Sequence, residues 1–232
     1  MKKIGFIGAY DKTDLIIYIA KILTTLDKKV LIVDSTLAQK ARYVVPVINP
    51  TAMYITEYEE IDIAVGFSNM EEIKKYLGVS ENQELEYDVM FVDTDNIQGF
   101  NNFKLEDAQK NYFVTSFDVY SLKKGLEALI ELKNVVSLTK VFFSKEMLKE
   151  EDDYLNFLSL GYKIVWNENR IYFPIENGDL SVIYENQRVA KVKFKKLSIQ
   201  YKDSLAYLAE EILGDVSEAR VRKAIKIIER GV

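Results

Sequence analysis

The chain has 232 residues, with 31 Lys and Arg against 36 Asp and Glu, and neither His nor Cys. At 48% apolar and 12% aromatic residues it can bury the core of one ordinary domain, which excludes a disordered tail or a fibrous rod. The missing His and Cys exclude thiol nucleophiles, Ser-His triads, His general bases, zinc fingers and disulfides, so any chemistry rests on Lys, carboxylates, hydroxyls, backbone amides or a bound cation.

Residues 1–12 carry the charged opening of a signal peptide, but the apolar stretch breaks at Asp11 and Lys12 without a small-residue cleavage site. No apolar run reaches the ~18 residues that span a bilayer. The expectation is a cytoplasmic protein. The mildly acidic balance, −5 at pH 7, argues against a dedicated nucleic-acid-binding domain.

In chain order, 4–7 reads as a strand buried on both faces because it is nearly all apolar. Over 13–26, Ile16, Ile19, Ala20, Leu23 and Leu26 recur at helical spacing, and 30–33 is a second buried strand ending at Asp34. A βαβ unit therefore opens the chain. Next come a strand over 61–67 and a helix over 70–77, with Ser68 as N-cap, Glu71 completing a capping box and Gly78 as stop. Residues 88–93 form another strand ending on a carboxylate. Strands are expected at 112–115 and 140–144, with a helix over 121–133. Short strands at 162–166 and 171–173 flank an Asn167-Glu168-Asn169 turn, and helices over 197–213 and 218–230 close the chain. With no internal repeat and no dividing linker, the expected architecture is a single doubly wound, mostly parallel α/β sheet flanked by helices over 1–232.

In such sheets ligands gather where strands end and helices begin, because free N–H groups and the helix dipole favour an anion. The first junction reads Gly8-Ala9-Tyr10-Asp11-Lys12-Thr13-Asp14. A P-loop ends in Gly-Lys-Ser/Thr, with the lysine on outer phosphates and the hydroxyl on Mg²⁺. Lys12-Thr13 supplies that ending, but Asp11 stands where the glycine belongs.

These residues resemble the MinD/ParA group of P-loop ATPases, whose loop has the form KGGxGK[ST]. Residues 7–13 lie on that loop, 15–26 on the helix after it, and 28–34 on its basic pair, strand and aspartate. The segment 87–94 is similar to the group's YDyviiDt strand. Thr115 with Leu122, and the segments 181–185, 197–199 and 201–213, are similar to its later strand and closing elements. The resemblance implies a P-loop domain holding ATP and Mg²⁺. Gly8, Ala9, Tyr10, Asp11, Lys12 and Thr13 would contact nucleotide, Thr13 and Asp93 would stand on the metal, and Asp34 on the water or Mg²⁺ side. It also implies nucleotide-dependent dimerisation that positions a larger assembly, through a protein partner.

The departures bear on mechanism. The group's signature lysine falls on Ile7, its two further loop glycines on Ala9 and Asp11, the second aspartate of its DxD-like segment on Thr36, and the glycine after the 88–93 strand on Ile97. At ~4 Å and an effective dielectric of ~20, an Asp11 carboxylate repels each phosphate charge by about 4 kcal/mol unless it turns away or a cation offsets it. Hence the alternative that the chain is a pseudo-ATPase with no bound cofactor. Plainer roles stand beside the functional ones. Asp11 can cap the first helix with Asp14 beside it, Lys12 and Thr13 can be first-turn surface residues, and Asp34 and Asp93 can end strands and cap helices. The fifteen tyrosines are scattered and read as core and rim residues rather than a stacking platform.

From Val189 onward, ten Lys and Arg face six Asp and Glu. Asp215 with Glu218 reads as a capping box. Val221, Ala224, Ile225 and Ile228 then form an apolar stripe beside Arg220, Arg222, Lys223, Lys226 and Arg230, so 214–232 carries a basic amphipathic helix. Three fates are open to it: docking on a partner, lying peripherally on an anionic membrane, or packing on the protein's own sheet.

Overall fold

The computed structural model describes residues 1–48, 50–80, 82–144, 149–174 and 176–231. Among them, β1 (Lys2–Ile7), β2 (Val30–Asp34), β3 (Tyr54–Tyr58), β4 (Ile61–Val65), β5 (Val89–Thr94), β6 (Lys110–Ser116), β7 (Val136–Phe143) and β8 (Ile164–Phe173) form one sheet. Its order is β3-β4-β2-β5-β1-β6-β7-β8, with every pairing parallel except the antiparallel β3–β4 edge. The apolar runs of β1, β2 and β5 are central because both of their faces must be covered.

The helices are α1 (Thr13–Thr25), α2 (Ala41–Val44), α3 (Met70–Tyr76), α4 (Ile97–Asn102), α5 (Val119–Glu127), α6 (Lys149–Leu158), α7 (Asn177–Val189), α8 (Ile199–Leu213) and α9 (Glu218–Arg230). Strand alternation sends Ile4 and Phe6 into a core shared with α1, α7, α8 and α9, while Ile7 enters the opposite core with α3, α4, α5 and α6. The result is the expected three-layer, mostly parallel α/β/α sheet.

Several local expectations shift. The cap of α3 is Asn69, whose side chain accepts from the Glu72 N–H, while Glu72 accepts from the Ser68 N–H. The capping box is therefore one residue later than Ser68/Glu71. The Asn167-Glu168-Asn169 turn does not form. These residues continue β8, because an edge strand leaves one side in water where polar groups cost nothing, and an irregularity between Leu138 and Lys140 of β7 absorbs the register change. The helix expected over 121–133 ends at Glu127, and the 61–67 strand ends at Val65. The Asp215/Glu218 box is absent, since Ser217 caps α9 without a side-chain bond and Asp215 faces Lys2 instead. The apolar stripe of α9 is buried with residues of α1 and α8, so it packs on neighbouring helices rather than on the sheet itself. Val232, at the end of that segment, lies outside the described residues.

Candidate functional site

The site lies at the C-terminal edge of β1 and β5, where β1 passes into α1. Gly8 makes the turn with φ +138°, a backbone conformation that side chains rarely adopt. A Cβ there would lie 2.2 Å from the Val114 carbonyl of β6, so only glycine fits. Its N–H donates to the Thr94 carbonyl at 3.1 Å, tying the loop to β5. Ile7, at the position of the resembling group's signature lysine, is wholly buried in apolar surroundings and presents no charge.

Lys12 is 3% exposed and Asp93 is 3% exposed, and their ammonium and carboxylate meet at 2.7 Å. The Lys12 Nζ also donates to the Gly8 carbonyl at 2.8 Å. Lys12 is thus folded back on its own loop and is not the surface residue of the plainer reading. Burial pushes the Asp93 carboxyl up to about 7, against the pull of Lys12 and with a smaller push from Asp34. Its Oδ1 meets the ammonium as a charge pair without an aligned hydrogen bond. Asp34 is committed to shaping the next loop: it accepts from the Thr36 N–H at 3.1 Å, the Thr36 hydroxyl at 2.6 Å and the Ala41 N–H at 3.0 Å. Thr36, at the place of a second aspartate, serves that turn.

Asp11 does not cap α1 as its N-cap residue. That position is Lys12, and Asp11 Oδ1 takes the Thr13 N–H at 3.2 Å from one residue further out. Its other oxygen accepts from the Lys40 ammonium. Lys40 also donates to Asp14 at 3.0 Å, and the Gln187 amide of α7 donates to both Asp14 oxygens at 2.9 and 2.8 Å. Burial lowers the Lys40 pKa, but Asp14 and Asp11 more than offset it, leaving the ammonium above its ordinary value. Tyr10 stacks on Phe143 at 4.9 Å, and its phenol is pushed up to about 12 by burial and then by Asp11. A cleft of about 320 Å³ is lined by residues 8–13 with Thr36, Ala38, Lys40, Tyr43, Asp93 and Asp95. A cleft of this kind, a helix N-terminus beside a buried lysine and a carboxylate, suits a phosphate chain with a hydrated cation.

Solved structures with the same architecture include a ParA family ATPase from Chlorobium tepidum (14% identity, 90% of this chain and 97% of that one, TM-score 0.57). Others are MinD in the MinC:MinD cell division complex of Aquifex aeolicus (16%, 94% and 98%, 0.57) and a McdA variant from Cyanothece solved with ATP (10%, 94% and 98%, 0.58). This chain has the ParA/MinD-type P-loop ATPase fold. No family profile and no curated protein sequence matches it.

Within that fold the structure brings Gly8, Ala9, Tyr10, Asp11, Lys12, Thr13 and Asp93 to one cleft, whereas Asp34 does not line it and has both oxygens bonded within the loop after β2. Arg220, Arg222, Lys223, Lys226 and Arg230 lie apart on the exposed face of α9, Arg222 paired with Asp203 and Glu218. Sequence reasoning missed Lys40, Gln187 and Asp95. The available signal for Lys40 was its place in the loop that follows a buried strand ending at the same sheet edge. Among the described residues no group of three or more carboxylates could hold a metal ion.

Proposed function

We propose that the chain is a ParA/MinD-like spatial regulator or scaffold with a degenerate nucleotide site, positioning or assembling a larger machinery such as a pilus, secretion, conjugation, division or partition apparatus. The observation that carries the reading is the convergence of the Gly8 turn, Lys12, Thr13 and Asp93 on one cleft at the strand ends of a ParA/MinD-type fold. Structures of that fold include a putative plasmid partition protein from Borrelia burgdorferi bound to AMPPNP, the ATP-bound McdA variant, and MinD in complex with MinC.

The donor set fits a polyphosphate chelated to Mg²⁺. Residues 8–13 would hold the phosphates, Lys12 would offset their charge, and Thr13 with Asp93 would stand on the cation. Mg²⁺ would supply charge neutralisation between phosphate oxygens. The chain's own part is to bind and orient. With Ile7 in the core and Asp11 in the loop, the site offers less positive charge than KGGxGK[ST], which favours slow turnover and binding as the working event.

Exposed Leu37, Tyr43 and Ile48 after β2, and Val119 and Tyr120 opening α5, lie at the same sheet edge and offer an apolar surface to a protein partner or a second copy. The second reading is a pseudo-ATPase that holds its partner constitutively. The placement of Asp11 against Lys40 favours it, since the loop then satisfies itself without ligand. Calorimetry with MgATP separates the two. A binding signal lost in Lys12→Ala supports the nucleotide site, whereas no signal at millimolar nucleotide leaves the constitutive scaffold.

A further inference from the structure

We propose that the cleft contains an anion site which the protein occupies itself: the Asp11 carboxylate fills the place of a phosphate group, and Lys40 is the cation that would receive a polyphosphate once Asp11 leaves. This rests on the nucleotide reading above and deepens it, because it names the residue that recognises phosphate here and the group that opposes binding.

The contacts of Asp11 are those that recognise an oxyanion. One oxygen takes the Thr13 N–H in the first turn of α1, and the other takes the Lys40 ammonium. The first is a free donor of a 13-residue helix, and the second is a charge delivered from a different loop. Lys40 is held ready. Its ammonium is braced by Asp14, which Gln187 fixes from α7, and its side chain is only 30% exposed. Lys12 already donates to the Gly8 carbonyl and faces Asp93 of β5, so Lys40 is a second cation brought to the cleft from another loop. Asp11, by contrast, is half-exposed at the cleft mouth, so it can turn into water while keeping its hydration. The lining of the 320 Å³ cleft includes both Asp11 and Lys40, so displacement opens the site into existing space.

A polyphosphate must therefore compete with a tethered carboxylate for Lys40 and the Thr13 N–H. Removing the carboxylate's charge strengthens binding, and that gain requires Lys40. The sign is opposite to what a merely capping Asp11 would give, since losing a cap weakens the loop and its ligand together.

Titration calorimetry of the full chain with inorganic triphosphate and, separately, with MgATP tests this on wild type, Asp11→Asn, Asp11→Ala, Lys40→Gln and the Asp11→Asn/Lys40→Gln pair. Both Asp11 variants are expected to bind triphosphate roughly tenfold tighter than wild type, with the gain lost in the paired variant. Asp11 variants no tighter than wild type, or a gain that persists without Lys40, would overturn the proposal. Equal MgATP affinity for wild type and Asp11 variants overturns the self-occupied site and leaves the nucleotide reading standing. A tenfold gain for triphosphate with no binding of MgATP supports the anion site and removes the nucleoside. Binding of neither probe by any variant overturns both. A second readout needs no ligand: the Lys40 side-chain NMR titration should move to lower pH in Asp11→Asn, and an unmoved titration counts against the contact.

Discussion

Replacing Lys12 by Met removes the cation that faces Asp93 and leaves a carboxyl buried among strand ends. In the wild type that carboxyl is pushed up from 3.8 to about 7 by burial, with Lys12 opposing the shift. Without Lys12 its pKa rises further. The native state then holds this proton above the pH at which the unfolded chain releases it. The associated stability is present at low pH and lost as pH rises through the folded value, at about 1.4 kcal/mol per pH unit for one proton. In wild type that loss ends near neutrality, whereas in the variant it continues above it. The cost of Lys12→Met should therefore be about 1 kcal/mol larger at pH 8 than at pH 6, within the 3–5 kcal/mol typical of breaking a buried pair. Urea unfolding followed by circular dichroism at the two pH values measures it. In an Asp93→Asn background the pH dependence of the Lys12 effect should vanish. An equal cost at pH 6 and pH 8 in the Asp93 protein would show that Lys12 does not hold the Asp93 proton equilibrium.

Other substitutions separate scaffold from site. Asp34→Ala strips an acceptor from three bonds that shape the loop after β2, and should cost about 2–4 kcal/mol in chemical denaturation. Gly8→Ala places a methyl 2.2 Å from the Val114 carbonyl at a positive φ, and should cost several kcal/mol, read as a large fall in melting temperature. Ile228→Ala on the buried stripe of α9 should cost about 2–4 kcal/mol, while Lys223→Glu on its exposed face should stay within about 0.5 kcal/mol in the same assay.

Much of the architecture was legible because burial writes itself into spacing. The α1 stripe of Ile16, Ile19, Ala20 and Leu23 and the unbroken apolar runs of β1, β2 and β5 predict a crossover and a parallel sheet nearly to the residue. Where burial is one-sided the signal fades. Asn167, Glu168 and Asn169 read as a turn by composition, yet they form part of an edge strand whose pairing with β7 satisfies the backbone. The edge strand β3 was missed for a similar reason, since its Tyr54, Thr56 and Tyr58 alternate too briefly to stand out. At the site, the strand-to-helix junction and its carboxylates were predictable from where apolar runs stop. Their partners were not. The bond between Asp11 and Lys40 spans 29 residues, and nothing in local periodicity links them. Nor does a motif say whether Lys12 points outward or folds back onto Gly8, because that depends on how much of its charge the surrounding strand ends already neutralise.

Nucleotide binding itself is the most direct test of the account. Calorimetric titration of MgATP into wild type and Lys12→Ala at matched pH should give weak but saturable binding in the first and none in the second. Absence of binding in wild type at millimolar MgATP, with the protein folded, would contradict it.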